Sequence, residues 1–279
     1  MRKVAIVACS NGLESYKRKQ MEDLQRVFEN MGLHPVFSPF LYAGETDVRS
    51  AGAKERAAVL MKFYQDEEIT DIFDVSGGDV AVEIVPYIDF DVIAKSKARF
   101  WGYSDLTTII NAIYTKTGKV SNLFQVRNLV RKCGKEQVER FQDYFHGGTQ
   151  LLDVSYELVR GTKISGTLVG GNARCLLKLA GSPFFPDTKD KVLFLEGLSG
   201  TVPQLVTFFS QLKIIGVWDK VSGVVLGTFT EMEKKNCSPT AAELILEMTD
   251  ASLPVAVTKE VGHGADAKCL LMGEEIIIE

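Results

Sequence analysis

The feature that most limits the fold is an alternation in the first third of the chain. Short apolar runs of strand length alternate with longer segments of helical period. KVAIVAC (3–9) reads as a buried strand. The segment 13–32 sets Met21, Leu24, Phe28 and Met31 on one helical face, with Gly32 as a C-terminal cap. HPVFSPF (34–40) reads as a second strand, and 53–67 as a helix through Ala57, Val59, Leu60 and Phe63. DIFDVSGGD (71–79) reads as a strand running into a glycine turn, and AVEIVPYI after it as a short helical stretch. Strands that alternate with helices cannot pair as hairpins, so the expected fold is α/β, with a mainly parallel sheet covered on both faces.

From 119 to about 161 the pattern weakens to one helix (136–145) and a turn, HGGTQ. A second alternating unit follows. It comprises ISGTLVGGN (164–172), a helix over 173–180, the strand KVLFLEG (191–197) and a helix from 202 to about 215. The strand SGVVLGTFT (222–230) comes next, then a helix over 238–249 with Ser238 as cap and Pro239 at its first position. PVAVTKEVGHGAD (254–266) and EEIIIE complete the chain. The expected organisation is an N-terminal domain (1–118), a connecting region (119–163) and a C-terminal α/β domain (164–279).

Composition narrows the class. Hydrophobic residues make up 46% and charged residues 24% of 279, the profile of a globular protein. A formal net charge of −4 with interspersed signs offers no nucleic-acid footprint, and no apolar run has the length of a membrane span. The apolar stretch 4–9 is too short for a signal-peptide core. Five cysteines at unrelated spacings, Cys9, Cys133, Cys175, Cys237 and Cys269, suggest neither a disulfide framework nor a metal site. A reducing, cytoplasmic compartment, no cofactor and no metal are the expectation.

Ser104 stands in GYSD between an apolar strand and a helix whose Leu106, Ile109, Ile110 and Ile113 share one face. Two readings are open. It is either a plain helix cap or a nucleophile at a helix N-terminus, where unpaired amides favour an oxyanion. The turn is similar to the G-x-S-x-G elbow, with Leu106 in place of the second glycine. Of three histidines, His34 opens a strand, His146 precedes a glycine pair, and His263 lies between glycines in VGHGAD, as an accessible base or a loop residue without a role. Glu196 ends the apolar strand KVLFLEG, either orienting a histidine or simply emerging at the surface. SGGD (76–79) and VGGN (169–172) are either tight turns or anion-facing backbone, and Asn172 is also a candidate helix cap. Neither fits a dinucleotide fingerprint or a phosphate loop.

The segments 75–118, 166–197, 211–231 and 261–273, with GYSD, GGN, LFLE and GHG in that order, resemble one family. It comprises the LD-carboxypeptidases of murein recycling and the microcin C self-immunity proteins. The resemblance implies a Rossmann-like N-terminal domain, a C-terminal α/β domain and an active site between them. It implies a Ser104–Glu196–His263 triad, with the amides of Asp105 and the Gly77–Gly78 turn, Gly78 foremost, as oxyanion hole. It also implies a metal-independent homodimer. Ser76, Gly77, Tyr103 and Asn172 are then candidate substrate contacts. Four places depart from the family pattern: Ser76 stands where many members have arginine, GLSGTVPQLVTFF follows LFLE, SNLFQVRN follows KTGKV, and ACSNG forms the first loop.

The leading expectation is an amide hydrolase that releases terminal D-alanine from murein tetrapeptides through an acyl-enzyme. A hydrolase of aminoacyl or peptidyl nucleotide amides, as in microcin immunity, is second. A catalytically silent ligand-binding homologue is the alternative of another class. The partner in each is a small peptide or peptidyl-nucleotide molecule.

Overall fold

The computed structural model describes residues 2–279. Its first unit contains β1 (Arg2–Val7), α1 (Arg18–Asn30), β2 (Leu33–Phe37), α2 (Ala53–Gln65), β3 (Ile69–Asp74), α3 (Phe90–Lys95), β4 (Arg99–Gly102), α4 (Thr107–Thr117), β5 (Ser121–Leu123) and α5 (Gly134–Phe145). The second contains β6 (Glu157–Arg160), β7 (Ile164–Asn172), α6 (Ala173–Leu177), β8 (Lys191–Gly197), α7 (Val202–Ile214), β9 (Gly223–Phe229), α8 (Thr230–Lys234), α9 (Ala241–Met248) and β10 (Val255–Val257). Two short strands follow, β11 (Leu270–Met272) and β12 (Glu275–Ile278).

Two six-stranded sheets result, ordered β11-β5-β4-β3-β1-β2 and β12-β7-β8-β9-β10-β6. In the first, β2, β1, β3, β4 and β5 run parallel and β11 is antiparallel. In the second, β7 to β10 run parallel between antiparallel edges. This is the expected pair of mainly parallel α/β units. The first seven residues of α4, Thr107 to Ile113, are buried, and Ile109, Ile110 and Ile113 share a core with Val192, Phe194 and Val225 of the second sheet. The helix that follows Ser104 is thus clamped between the sheets. The outer face of the first sheet is sealed by α1 and α5 through Phe28, Phe73, Trp101 and Phe141.

Three expectations change. The segment 119–163 is not a bare connection. Its β5 lies within the first sheet, Phe124, Leu129 and Phe141 join that sheet's core, and β6 pairs with β10. The pattern was weak because β5 has only three residues and buries the polar Ser121 and Asn122. The first sheet is closed by β11, from the C-terminal part of the chain, so the expected boundary at 118 divides a single sheet. The helix expected from 238 begins at Ala241, with Thr240 as its cap. Thr240 and Glu243 form a reciprocal capping box, with Glu243 Oε2 accepting from Thr240 N at 2.7 Å and Thr240 Oγ1 accepting from Glu243 N at 3.2 Å. Two satisfied amides outweigh the serine-proline signal three residues earlier.

Candidate active site

In the first sheet the strand order reverses beside β1, and ligand sites of open parallel sheets form at the carboxyl ends of strands near such a point. Here β1 runs into Ser10–Asn11, β3 into Ser76–Gly78, β4 into Tyr103–Ser104 and β5 into Gln125–Arg127. A cleft of about 420 Å³ opens there, lined by Asn11, Gly78, Ser104, Arg127 and, from the second unit, His263.

Ser104 is not a helix cap. Tyr103 and Leu106 occupy the cap positions of the short 3₁₀ turn and of α4, and neither caps with its side chain. Ser104 itself has φ 59°, a left-handed conformation that costs a non-glycine residue about 1–2 kcal/mol. Burial of Leu106 and of α4 holds it there. Strain of this kind is characteristic of functional turns.

Glu196 is the penultimate residue of β8 and is fully buried, so the reading of a strand emerging at the surface fails. Its carboxylate collects three groups. Tyr103 Oη donates to Oε2 at 2.8 Å, Asn172 Nδ2 donates to Oε1 at 3.0 Å, and His263 Nδ1 lies 2.7 Å from Oε2. Burial, then the Glu196 charge, pushes the Tyr103 phenol well above its ordinary pKa, so Tyr103 remains a donor. Tyr103 also meets the His263 ring edge-on, with centroids 4.9 Å apart. The short Nδ1 contact is off the line of an ideal hydrogen bond, and Nε2 has no hydrogen-bond partner among the described residues. Ser104 and His263 therefore face one cleft without being hydrogen-bonded to each other, and such bonds commonly tighten only when substrate is present. Gly262 is required for the approach: a Cβ there would lie 1.7 Å from Thr228 Oγ1.

Gly77 and Gly78 line the cleft. Gly78 has φ +124°, and a Cβ on it would meet Asn11 Oδ1 at 2.3 Å. Asn11 holds this turn, its amide donating to Gly77 O at 3.2 Å and its Oδ1 accepting from Asp79 N at 3.0 Å. From the second unit, α6 reaches across: Arg174 donates to Gly78 O at 3.3 Å and Lys178 Nζ to Asp79 O at 2.9 Å.

Two candidate substrate contacts are corrected. Ser76 is fully buried, its hydroxyl donating to Asp74 Oδ1 at 2.5 Å and accepting from Ser10 N at 2.9 Å. It braces the first loop rather than facing the cleft. Asn172 is spent on Glu196 and on capping α6, where its Oδ1 accepts from Cys175 N at 3.3 Å. Tyr103 does line the cleft, but its hydroxyl is committed to Glu196.

Asp105 stands in the first turn after Ser104, where helix amides lack intrahelical acceptors. Its side chain does separate work. Fully buried, it accepts from Ser10 Oγ at 2.6 Å and Ala81 N at 2.8 Å and pairs with Lys178. One carboxylate thus ties the first loop, Ala81 beyond the glycine turn, and Lys178 at the end of α6 to the turn bearing Ser104. Asp105→Ala should destabilise the protein by about 3–5 kcal/mol, since removing one partner strands the others. Urea unfolding measures this, and a loss below about 1 kcal/mol would contradict the role.

Two family models match the chain: the LD-carboxypeptidase N-terminal domain over residues 4–123 and the LD-carboxypeptidase C-terminal domain over residues 165–278. The chain belongs to the LD-carboxypeptidase family. A Bacillus subtilis (strain 168) relative named "Probable murein peptide carboxypeptidase" is 33% identical over 203 residues, which cover 70% of this chain and 61% of that protein. The match thus spans less than two thirds of that relative's length. The Microcin C7 self-immunity protein MccF of Escherichia coli is 25% identical over 272 residues, covering 85% of this chain and 79% of the relative. Among solved structures, MccF in complex with glutamyl sulfamoyl guanosine superposes with a TM-score of 0.86 at 20% identity, covering 99% of this chain and 92% of the other. Muramoyltetrapeptide carboxypeptidase from Oxalobacter formigenes gives 0.80 at 21%, covering 99% and 94%. These likenesses establish the two-unit α/β fold.

Several residues that shape the cleft of this LD-carboxypeptidase family member escaped sequence reading. Lys178 and Arg174 had one available signal, a basic pair at i, i+4 on a short helix. Ser10 and Asn11 lie in ACSNG, the first loop that departs from the family pattern, and the buried Arg56, which donates to Ser10 O at 3.2 Å and pairs with Glu83 at 2.6 Å, had no signal. Among the described residues no group of three or more His, Cys, Asp and Glu side chains could hold a metal ion. No helix of the described residues is long and apolar enough to cross a membrane.

Proposed function

We propose that this chain is a serine amide hydrolase in which Ser104 is the nucleophile, His263 the base and then the acid, and Glu196 the group that orients His263. The observation that carries the reading is the 2.7 Å approach of His263 Nδ1 to a buried, doubly donated Glu196 beside the strained Ser104 turn. A carboxylate on Nδ1 leaves Nε2 to accept the serine proton and stabilises the imidazolium that forms. Ser104 Oγ attacks the carbonyl, and the amides of Asp105 and Gly78 receive the oxyanion. His263 returns the proton to the leaving amine, and water, activated in the same way, releases the acyl group.

The first substrate is the L,D amide of a murein tetrapeptide, which would release D-alanine. Its support is the murein peptide name of the 33% identical relative. The second is an aminoacyl nucleotide amide, supported by the longer alignment with MccF and by the sulfamoyl nucleosides named with its structures. Mass spectrometry after incubation with murein tri-, tetra- and pentapeptides and aspartyl sulfamoyl adenosine separates them. Loss of one residue from the tetrapeptide alone supports the first, and cleavage of the adenosine compound alone the second. No cleavage of any, by protein that also resists a fluorophosphonate, would overturn the hydrolase reading.

A further inference from the structure

The walls of the cleft carry charge that the proposed triad does not use. Lys17 is neutralised by Glu14 beside it. Arg127 and Arg131 are not neutralised: among the described residues no carboxylate lies within ion-pair distance of either. Arg127 is inside the wall, and its side-chain bond runs from Nε to the neutral amide oxygen of Gln125 at 3.3 Å. Arg131 likewise meets only an amide oxygen, Asn128 Oδ1, at 3.2 Å.

An arginine stays protonated in any protein setting, so burial does not neutralise it. Burial, followed by the neighbouring Arg131 charge, pushes the Arg127 pKa down, and Asp74, Glu14 and Tyr16 offset this only in part. Elsewhere in the protein the buried arginine Arg56 has a carboxylate partner, Glu83. Arg127 has no such partner, and it borders the space that Ser104 and His263 share. A partly desolvated guanidinium beside a second positive charge is unfavourable until an anion joins it.

We propose that Arg127, backed by Arg131, is the specificity-determining residue of this cleft and binds a carboxylate of the substrate, either the peptide terminus or an acidic acyl side chain. The planar fork of Arg127 suits such a group in a bidentate contact, and Gln125 holds the fork by its Nε. Gln125 is held in turn, its Nε2 donating to Ser76 O at 3.4 Å. The site lies in SNLFQVRN, one of the four places where the chain leaves the family pattern. The inference rests on the cleft being the substrate site, as in the hydrolase reading.

Binding is measured in a Ser104→Ala background, which cannot turn over, so the result does not depend on catalysis. Calorimetry compares the full chain with and without Arg127→Gln, each verified as folded by thermal unfolding. The ligands are murein tetrapeptide, its C-terminal amide, aspartyl sulfamoyl adenosine and the asparaginyl counterpart. The Arg127→Gln change should weaken one anionic ligand about 10- to 100-fold and leave its neutralised counterpart within about twofold. Selective loss on the tetrapeptide assigns the anion to the peptide terminus, and selective loss on the aspartyl compound assigns it to the acyl side chain. Equal loss on both members of each pair, no loss, or no binding of any ligand would overturn the proposal. Fluorophosphonate labelling of the native chain judges the hydrolase reading separately.

Discussion

Ser104→Ala should eliminate covalent labelling by a fluorophosphonate and lower amide hydrolysis by about 10⁴- to 10⁶-fold. Removal of a serine nucleophile leaves only what binding and the oxyanion hole contribute. The fold should hardly respond. Ser104 caps no helix, and alanine meets the same left-handed penalty at φ 59°. Stability should therefore stay within about 0.5 kcal/mol of the native chain. Ser104→Gly gives a sharper signature. It should be equally inactive yet more stable by about 1 kcal/mol, because glycine adopts this conformation freely. Labelling kinetics and thermal unfolding read the two effects independently. Turnover retained in Ser104→Ala would remove Ser104 from the mechanism.

Glu196→Gln should lower kcat by about 10³- to 10⁴-fold with a smaller change in KM, the pattern for loss of a histidine orienter. The buried carboxylate accepts from Tyr103 and Asn172 and faces His263. An amide there presents one donor where only donors converge. It sets either its NH₂ against the Tyr103–His263 side or against Asn172 Nδ2. One buried donor is left unpaired, so stability should also fall by about 1–3 kcal/mol. Tyr103→Phe serves as the internal comparison. It removes one donor and keeps the carboxylate, and should lose only about tenfold in kcat. If Glu196→Gln and Tyr103→Phe proved equally mild, Glu196 would be a structural acid and not part of the proton path.

Much of this arrangement was legible because it depends on local chemistry. The strand KVLFLEG and the helix after Ser104 follow from apolar spacing, and both stand where expected, as β8 and α4. Glu196 attracted notice because an acid at the end of an apolar strand needs partners, and the structure supplies them. The capping box at Thr240 was also legible, since threonine and glutamate stand three apart, yet Ser238–Pro239 drew the assignment instead. The roles of Ser76 and Asn172 were not legible. Both are short polar residues beside glycines, and nothing local distinguishes a side chain facing a cleft from one turned inward to Asp74 or Glu196.

By itself, the order of strand-like and helix-like segments determined two parallel-sheet units, because periods of 2 and 3.6 are properties of neighbouring residues. It also placed Ser104, Glu196 and His263 at strand-to-loop junctions. Tertiary structure alone decided what joins them. The closure of the first sheet by β11, the reach of Lys178 to Asp105, and the unneutralised Arg127 in the cleft wall all link positions far apart in the chain. Such contacts form only when the burial of α4 between two sheets brings those positions together. No local pattern records them, because their energy comes from shared burial and not from sequence neighbours.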